Sequence, residues 1–211
     1  MGFVKRQLIN FSALSVREEK SRKALVNAHL AEAVTVVCDP TLLLPVEAYH
    51  ALAAGEPVAK GRYIFFYTAA GIPYDFFAIA NRLAETTGME VVTEKAYYPK
   101  DLRSYPHIHE YLPTGPREFL NLVKNAAVVC GGSFHLQVFS ILFHKEFYCI
   151  DGDKDARTNN LLRKCGLEDR IISLDKKSEM PAGRSICWDG VDERLKTERK
   201  NSEEWLKEKI G

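Results

Sequence analysis

Short apolar runs alternate with helical patterns along most of this chain, and that alternation narrows the folds open to it. Residues 33–38, 62–67, 89–93, 127–130 and 146–150 are rich in β-branched, aromatic and small apolar side chains, and read as buried strands. Residues 13–16 and 170–173 are shorter candidates. Between them lie helical patterns. Ser21 is placed to cap a helix ending near Leu30, Pro45 and Glu47 open one through Ala54, and residues 73–87 carry a wide apolar face stopped by Gly88. Further helices are expected from Gly115, from about 134 to 143 and from 158 to 165. Strand–helix alternation predicts an α/β fold with a Rossmann-like parallel sheet flanked by helices. Residues 95–113, with Pro99, Pro106 and Pro113, read as a long irregular segment.

The length of 211 residues suits one domain with an extension: a lobe over 1–190 and a charged helix over 191–211. Charged residues make up 27% and hydrophobic residues 46%, a balance that argues against disorder. The net charge of +1 gives no electrostatic case for a nucleic-acid partner. No apolar run approaches the ~18–20 residues of a membrane-spanning helix. The first ten residues carry Lys5 and Arg6 but no signal-peptide core, so a cytoplasmic location is expected. The five cysteines are widely spaced with no CxxC pair, which indicates neither a zinc site nor a disulfide framework. Cys38, Cys130 and Cys149 sit in apolar runs and read as small core residues.

Ligands in parallel sheets bind beyond the carboxyl ends of strands. The positions to examine are therefore Arg17, Asp39, Tyr67 to Thr68, Gly131 to His135, and Asp151 to Arg157. The strongest is Gly131-Gly132-Ser133-Phe134-His135. Its glycines let a ligand approach the backbone, Ser133 is placed to cap the next helix, and that helix start suits phosphate or carboxylate. His135 falls in the first turn, beside that anion. Arg17 offers a fork of donors for an anionic group, or pairs with a neighbouring glutamate. Asp39 reads as a turn residue accepting backbone N–H bonds. His107 and His109 lack a third ligand at metal-site spacing, so no metal is expected. Arg157 and Arg170 read as surface or helix-end residues unless the fold brings one to a cleft. The run from Tyr63 to Tyr67 reads as core.

Taken in order, these residues resemble a family. Ser15-Val16-Arg17-Glu18 and Asp39-Pro40-Thr41-Leu42-Leu43 look like the "SVRE" and "DPTLL" segments of polysaccharide pyruvyl transferases. Gly115 to Leu120, Asn125-Ala126, and Ser133-Phe134-His135 with Phe139-Ser140 resemble that family's "P-x-E-F-L", "N-A" and "SFHG…FS". Arg157, Leu161-Leu162, Gly166-Leu167 and Arg170 fit its "R…LL…GL…R". The resemblance implies one lobe of a fold similar to two-domain glycosyltransferases of the B type (GT-B), matching the family's C-terminal half. It implies transfer of pyruvate from phosphoenolpyruvate to sugar hydroxyls as a ketal, for cell-surface polysaccharide, with no other cofactor. It also implies that an N-terminal lobe, or a second subunit, completes the site. On this reading His135 is the acid/base or stabilises the departing phosphate. Arg17 binds an anionic group, Gly131, Gly132 and Ser133 form the anion turn, and Arg157 joins the donor contacts. The chain departs from the pattern at Gly131-Gly132, where members often carry an acidic residue or arginine, and at Leu136, where they often carry glycine. Two rival expectations stand beside this one: a sugar-nucleotide glycosyltransferase lobe, and a non-catalytic partner domain docking through Trp205 and Leu206.

Overall fold

The computed structural model describes residues 2–53, 55–69, 74–94, 104–112, 114–174 and 184–210. The chain divides into two compact units. One comprises Met1–Leu44, Arg163–Gly166 and Cys187–Gly211; the other comprises Pro45–Leu162 and Leu167–Ile186. The division does not fall at residue 190. The C-terminal helix groups with the first 44 residues, because its side chains bond to them.

The smaller unit holds α1 (Gly2–Leu8), β1 (Ser15–Val16), α2 (Glu19–Asn27), β2 (Thr35–Val36) and α8 (Trp188–Ile210). β1 and β2 pair in parallel, Ser15 opposite Thr35. Neither α1 nor α2 has a buried residue. Helix α2 begins at Glu19, and Ser21 does not cap it: its hydroxyl donates back to Glu18 Oε2 at 2.9 Å. Helix α8 joins this unit through particular bonds. Ser202 Oγ accepts from Cys38 N at 2.9 Å, and Arg199 Nε donates to Leu42 O at 2.6 Å. Arg194 Nη1 donates to Cys165 O at 2.7 Å, which explains why the end of the preceding helix belongs here as well.

The larger unit is a Rossmann-like α/β domain. Its elements are α3 (Val46–Leu52), β3 (Tyr63–Phe66), α4 (Tyr74–Thr87), β4 (Glu90–Glu94), β5 (Ile108–Leu112), α5 (Pro116–Asn125), β6 (Val128–Gly131), α6 (Phe134–Leu142), β7 (Glu146–Ile150), α7 (Ala156–Cys165, its last residues in the smaller unit) and β8 (Ile171–Ile172). The six strands form one sheet in the order β5-β4-β3-β6-β7-β8, and every pairing is parallel. Reading outward from β3, the chain winds first to one edge, then returns to β6 and winds to the other. The order therefore reverses between β3 and β6, the topological switch point where such sheets bind ligands.

Burial follows from parallel pairing, which covers both faces with helices and so demands continuous apolar strands. Tyr63, Ile64, Phe65 and Phe66 are all buried, so this aromatic run is core, as expected. Tyr63 turns its hydroxyl to Leu122 O at 2.9 Å, satisfying the one polar atom it carries inside. Ile64 and Phe66 pack under α4 with Phe76, Phe77, Ala80 and Leu83. Helix α5 starts with Pro116 in its first turn, and Glu118 Oε2 accepts from Gly115 N at 3.0 Å.

Two readings need correction here, and one element was not anticipated. Residues 108–112 form a strand inside the segment read as irregular. Residues 2–8 form a helix that no apolar face announced. Arg170 does end a short helix, Glu168–Arg170, but it is buried at 2% exposure rather than lying at the surface, with Nη1 2.9 Å from Glu146 Oε2 and Nη2 donating to Arg184 O.

Candidate functional site

The two central strands meet closely at their carboxyl ends. Tyr67 N donates to Cys130 O at 3.1 Å, drawing the end of β3 against the end of β6. A Cβ on Gly131 would lie 1.8 Å from Tyr67 O, and its φ of +152° is one that side-chain-bearing residues rarely adopt. Only glycine fits that position. A Cβ on Gly132 would meet the Phe76 ring at 2.7 Å. The two glycines thus let the chain turn sharply between the switch point and α4, straight into α6.

Ser133 occupies the N-cap position of α6 with extended backbone, but its side chain makes no cap hydrogen bond. The capping expected of its hydroxyl is absent. Among the described residues, no backbone carbonyl accepts from the N–H of Gly132 or Ser133. Those donors, with the partial positive end of α6, make this turn suited to an anion. Phe134 is buried, whereas His135 is exposed on the first turn. The two rings touch edge to face at 5.2 Å between centroids.

Arg157 reaches the same place from the start of α7. Its guanidinium carbon lies 5.4 Å from the centroid of the Phe134 ring, within cation–π range. Asp155 holds it there, with Oδ2 3.1 Å from Nη2 and Oδ1 3.2 Å from Nε. Asp155 also accepts from Arg157 N and from the Thr158 hydroxyl, both at 3.1 Å. Burial opposes charge on Asp155, but these bonds outweigh it and hold its carboxyl below the ordinary range. The structure therefore gathers Gly131, Gly132, Ser133, His135 and Arg157 around the start of one helix. Two partners were given no role by sequence reasoning. Asp155 fixes Arg157, and Gln137 donates to Gly131 O at 2.9 Å from inside α6. An aspartate two residues before Arg157 was a visible signal for the first. Nothing in the sequence pointed to the second.

Arg17 lies in the smaller unit, where Nη1 donates to Asp39 Oδ2 and Nε lies 3.8 Å from Glu18 Oε1. Asp39 also accepts from Thr41 N at 3.0 Å and the Thr41 hydroxyl at 2.6 Å, the expected turn. Burial again opposes ionisation, and the Thr41 and Arg17 donors outweigh it, lowering the Asp39 pKa.

Burial pushes the Cys130 thiol up to about 12 and raises Cys149 as well, so neither is a thiolate nucleophile at neutral pH. His107 Nδ1 lies 3.6 Å from Glu90 Oε2, and the side chain of His109 falls outside the described residues. Among the described residues, no group of three or more His, Cys, Asp or Glu side chains could hold a metal ion. No described helix is long and apolar enough to cross a membrane.

No curated protein matches the sequence. The family model for polysaccharide pyruvyl transferase matches residues 2–154, a span that takes in β1, the whole of β3 to β7 and the turn before α6. With that span covering well over half of its length, the chain belongs to the polysaccharide pyruvyl transferase family.

Proposed function

We propose that this chain serves the transfer of pyruvate from phosphoenolpyruvate to a saccharide as a ketal, in the cytoplasmic assembly of cell-surface polysaccharide. Family membership supports the transferase class. The observation that carries the site is the Gly131–Ser133 turn at the reversal point of the sheet, with His135 and Arg157 beside it. Phosphoenolpyruvate carries a phosphate and a carboxylate, so its site needs several donors and no buried acid facing it. In this reading one anionic group rests on the N–H groups of Gly132 and Ser133 and the start of α6, with the Arg157 guanidinium against it.

The reaction then asks for one proton and two hydroxyls. A proton delivered to the methylene carbon makes a C–H bond and leaves C2 electron-poor. A sugar hydroxyl oxygen bonds to C2 and gives up its proton. The C2–O bond to phosphate breaks with its electron pair, and the oxygen of a second hydroxyl bonds to C2 and loses its proton; of the two protons released, one replaces that spent on the methylene carbon and the other goes to the phosphate. An imidazole on the exposed first turn of α6 can supply the first proton or hold the departing phosphate. Arg17 is a separate candidate for donor binding.

Calorimetric titration with phosphoenolpyruvate tests the reading. Binding is expected in the millimolar range or tighter, weakened about tenfold (~1.4 kcal/mol) by Arg157→Ala. The His135→Ala and Arg17→Ala variants test those two assignments one at a time. Affinity unchanged in all three variants overturns the residue assignment. Tighter binding of a nucleotide sugar than of phosphoenolpyruvate favours the glycosyltransferase reading instead.

A further inference from the structure

The larger unit contains a fully buried amide that the proposed chemistry does not use. Gln137 is 0% exposed, on the second turn of α6. Side chains on a helix lean toward its N-terminus, so a glutamine there can reach back past the first turn. Gln137 does so: Nε2 donates to Gly131 O at 2.9 Å, while its backbone N donates to Ser133 O at 3.2 Å. One residue thus ties both ends of the turn. Its Oε1 is buried and has no hydrogen-bond partner. An amide kept inside with an unsatisfied acceptor carries a full desolvation penalty, which a residue of purely apolar packing would avoid.

The geometry of the peptide unit gives that amide a consequence. A trans peptide is planar, with its C=O and N–H pointing in opposite directions, and this chain has no cis peptide among its described residues. Gln137 holds the Gly131 oxygen toward α6, adding to the pairing of Gly131 with Cys149 at the end of β6. The N–H of Gly132, in the same plane, must then point opposite to that oxygen. A peptide between two glycines is the kind that can rotate by half a turn, since neither flanking residue has a Cβ to obstruct it. Rotated, it would present an oxygen where the turn now presents a donor, and an anion would be repelled.

We infer that Gln137 is a positioning residue that locks the Gly131–Gly132 peptide, so that the Gly132 N–H serves as an anion donor. The ligand role rests on the donor-site reading above; the lock does not. In the free wild-type chain, the Gln137 side-chain amide protons should exchange slowly with solvent. The Gly132 N–H should exchange fast, and slow down with phosphoenolpyruvate or inorganic phosphate. Gln137→Met removes the donor; Gln137→Glu puts a carboxylate against the Gly131 oxygen and favours the rotated peptide. Both should move the Gly132 amide resonance without ligand, by far more than those of Leu142 and Phe143 at the other end of the helix. Both should also weaken anion binding at least tenfold, raising KM for the donor more than they lower kcat. Fast exchange of the Gln137 amide protons in the wild-type chain overturns the lock, even if both variants fail to fold. A Gly132 resonance that stays in place in both variants overturns it too. Wild-type Gly132 that ignores both anions while the variants still shift it refutes the donor reading and leaves the lock standing.

Discussion

The two units of this chain are built from the same elements to different depths. In the larger one every residue of β3 is buried, and α6 buries eight side chains. In the smaller one the strand pair is two residues long, and Phe3, Ile9, Phe11 and Ile210 stand more than half exposed. Sheets gain stability from stacked apolar faces, and a two-stranded pair alone is marginal. The glycine turn and its latch thus belong to a rigid frame, while the smaller unit depends on polar ties such as Asp39 with Arg17 and Thr41.

The largest effect should come from cutting into that frame. Phe66→Ala should cost about 3–5 kcal/mol, read by chemical denaturation as an earlier loss of the larger unit. A cost below ~1 kcal/mol would show the frame to be less packed than β3 implies. Asp39→Asn comes next. The folded pKa of Asp39 lies below its unfolded value, so its stabilisation is full above ~3.9 and fades as pH falls through the lowered value. Acid should therefore loosen the smaller unit in that window, and Asp39→Asn should flatten the response while costing ~1–3 kcal/mol at neutral pH. An unchanged acid transition would remove Asp39 from the account. The smallest effect belongs to Phe3→Ala, within ~0.5 kcal/mol by thermal melting, because that ring is 67% exposed. A larger loss would mean that α1 packs more firmly than its exposure indicates.

Most of the larger unit could be read before folding was considered. Apolar runs at 62–67, 127–130 and 146–150 announced their strands, since a strand covered on both faces must be apolar throughout. β5 was hidden because His109 and Glu110 interrupt its run and Pro106 and Pro113 bracket it. The sheet order, and with it the switch point, needs strand pairing that no local pattern specifies. At the site, Gly131 to His135 stood out by position after a strand, as two glycines before a helix should. Arg157 was named from the family resemblance alone; its stacking on Phe134 needed the placing of α7. The burial of Arg170 at its helix end was missed because its partners Glu146 and Arg184 are both distant in sequence. Gln137 escaped notice because an apolar helix conceals one polar side chain aimed at its own entry turn.

The reversal between β3 and β6 also governs when the site can exist. Ile64 pairs with Val128, so the two strands that flank the turn are joined across the whole of α4, β4, β5 and α5. Contacts this distant along the chain close slowly. A folding chain can assemble one wing of the sheet and still have no place for an anion. The turn needs both central strands joined, so recovery of ligand binding after dilution from denaturant should trail the recovery of helix.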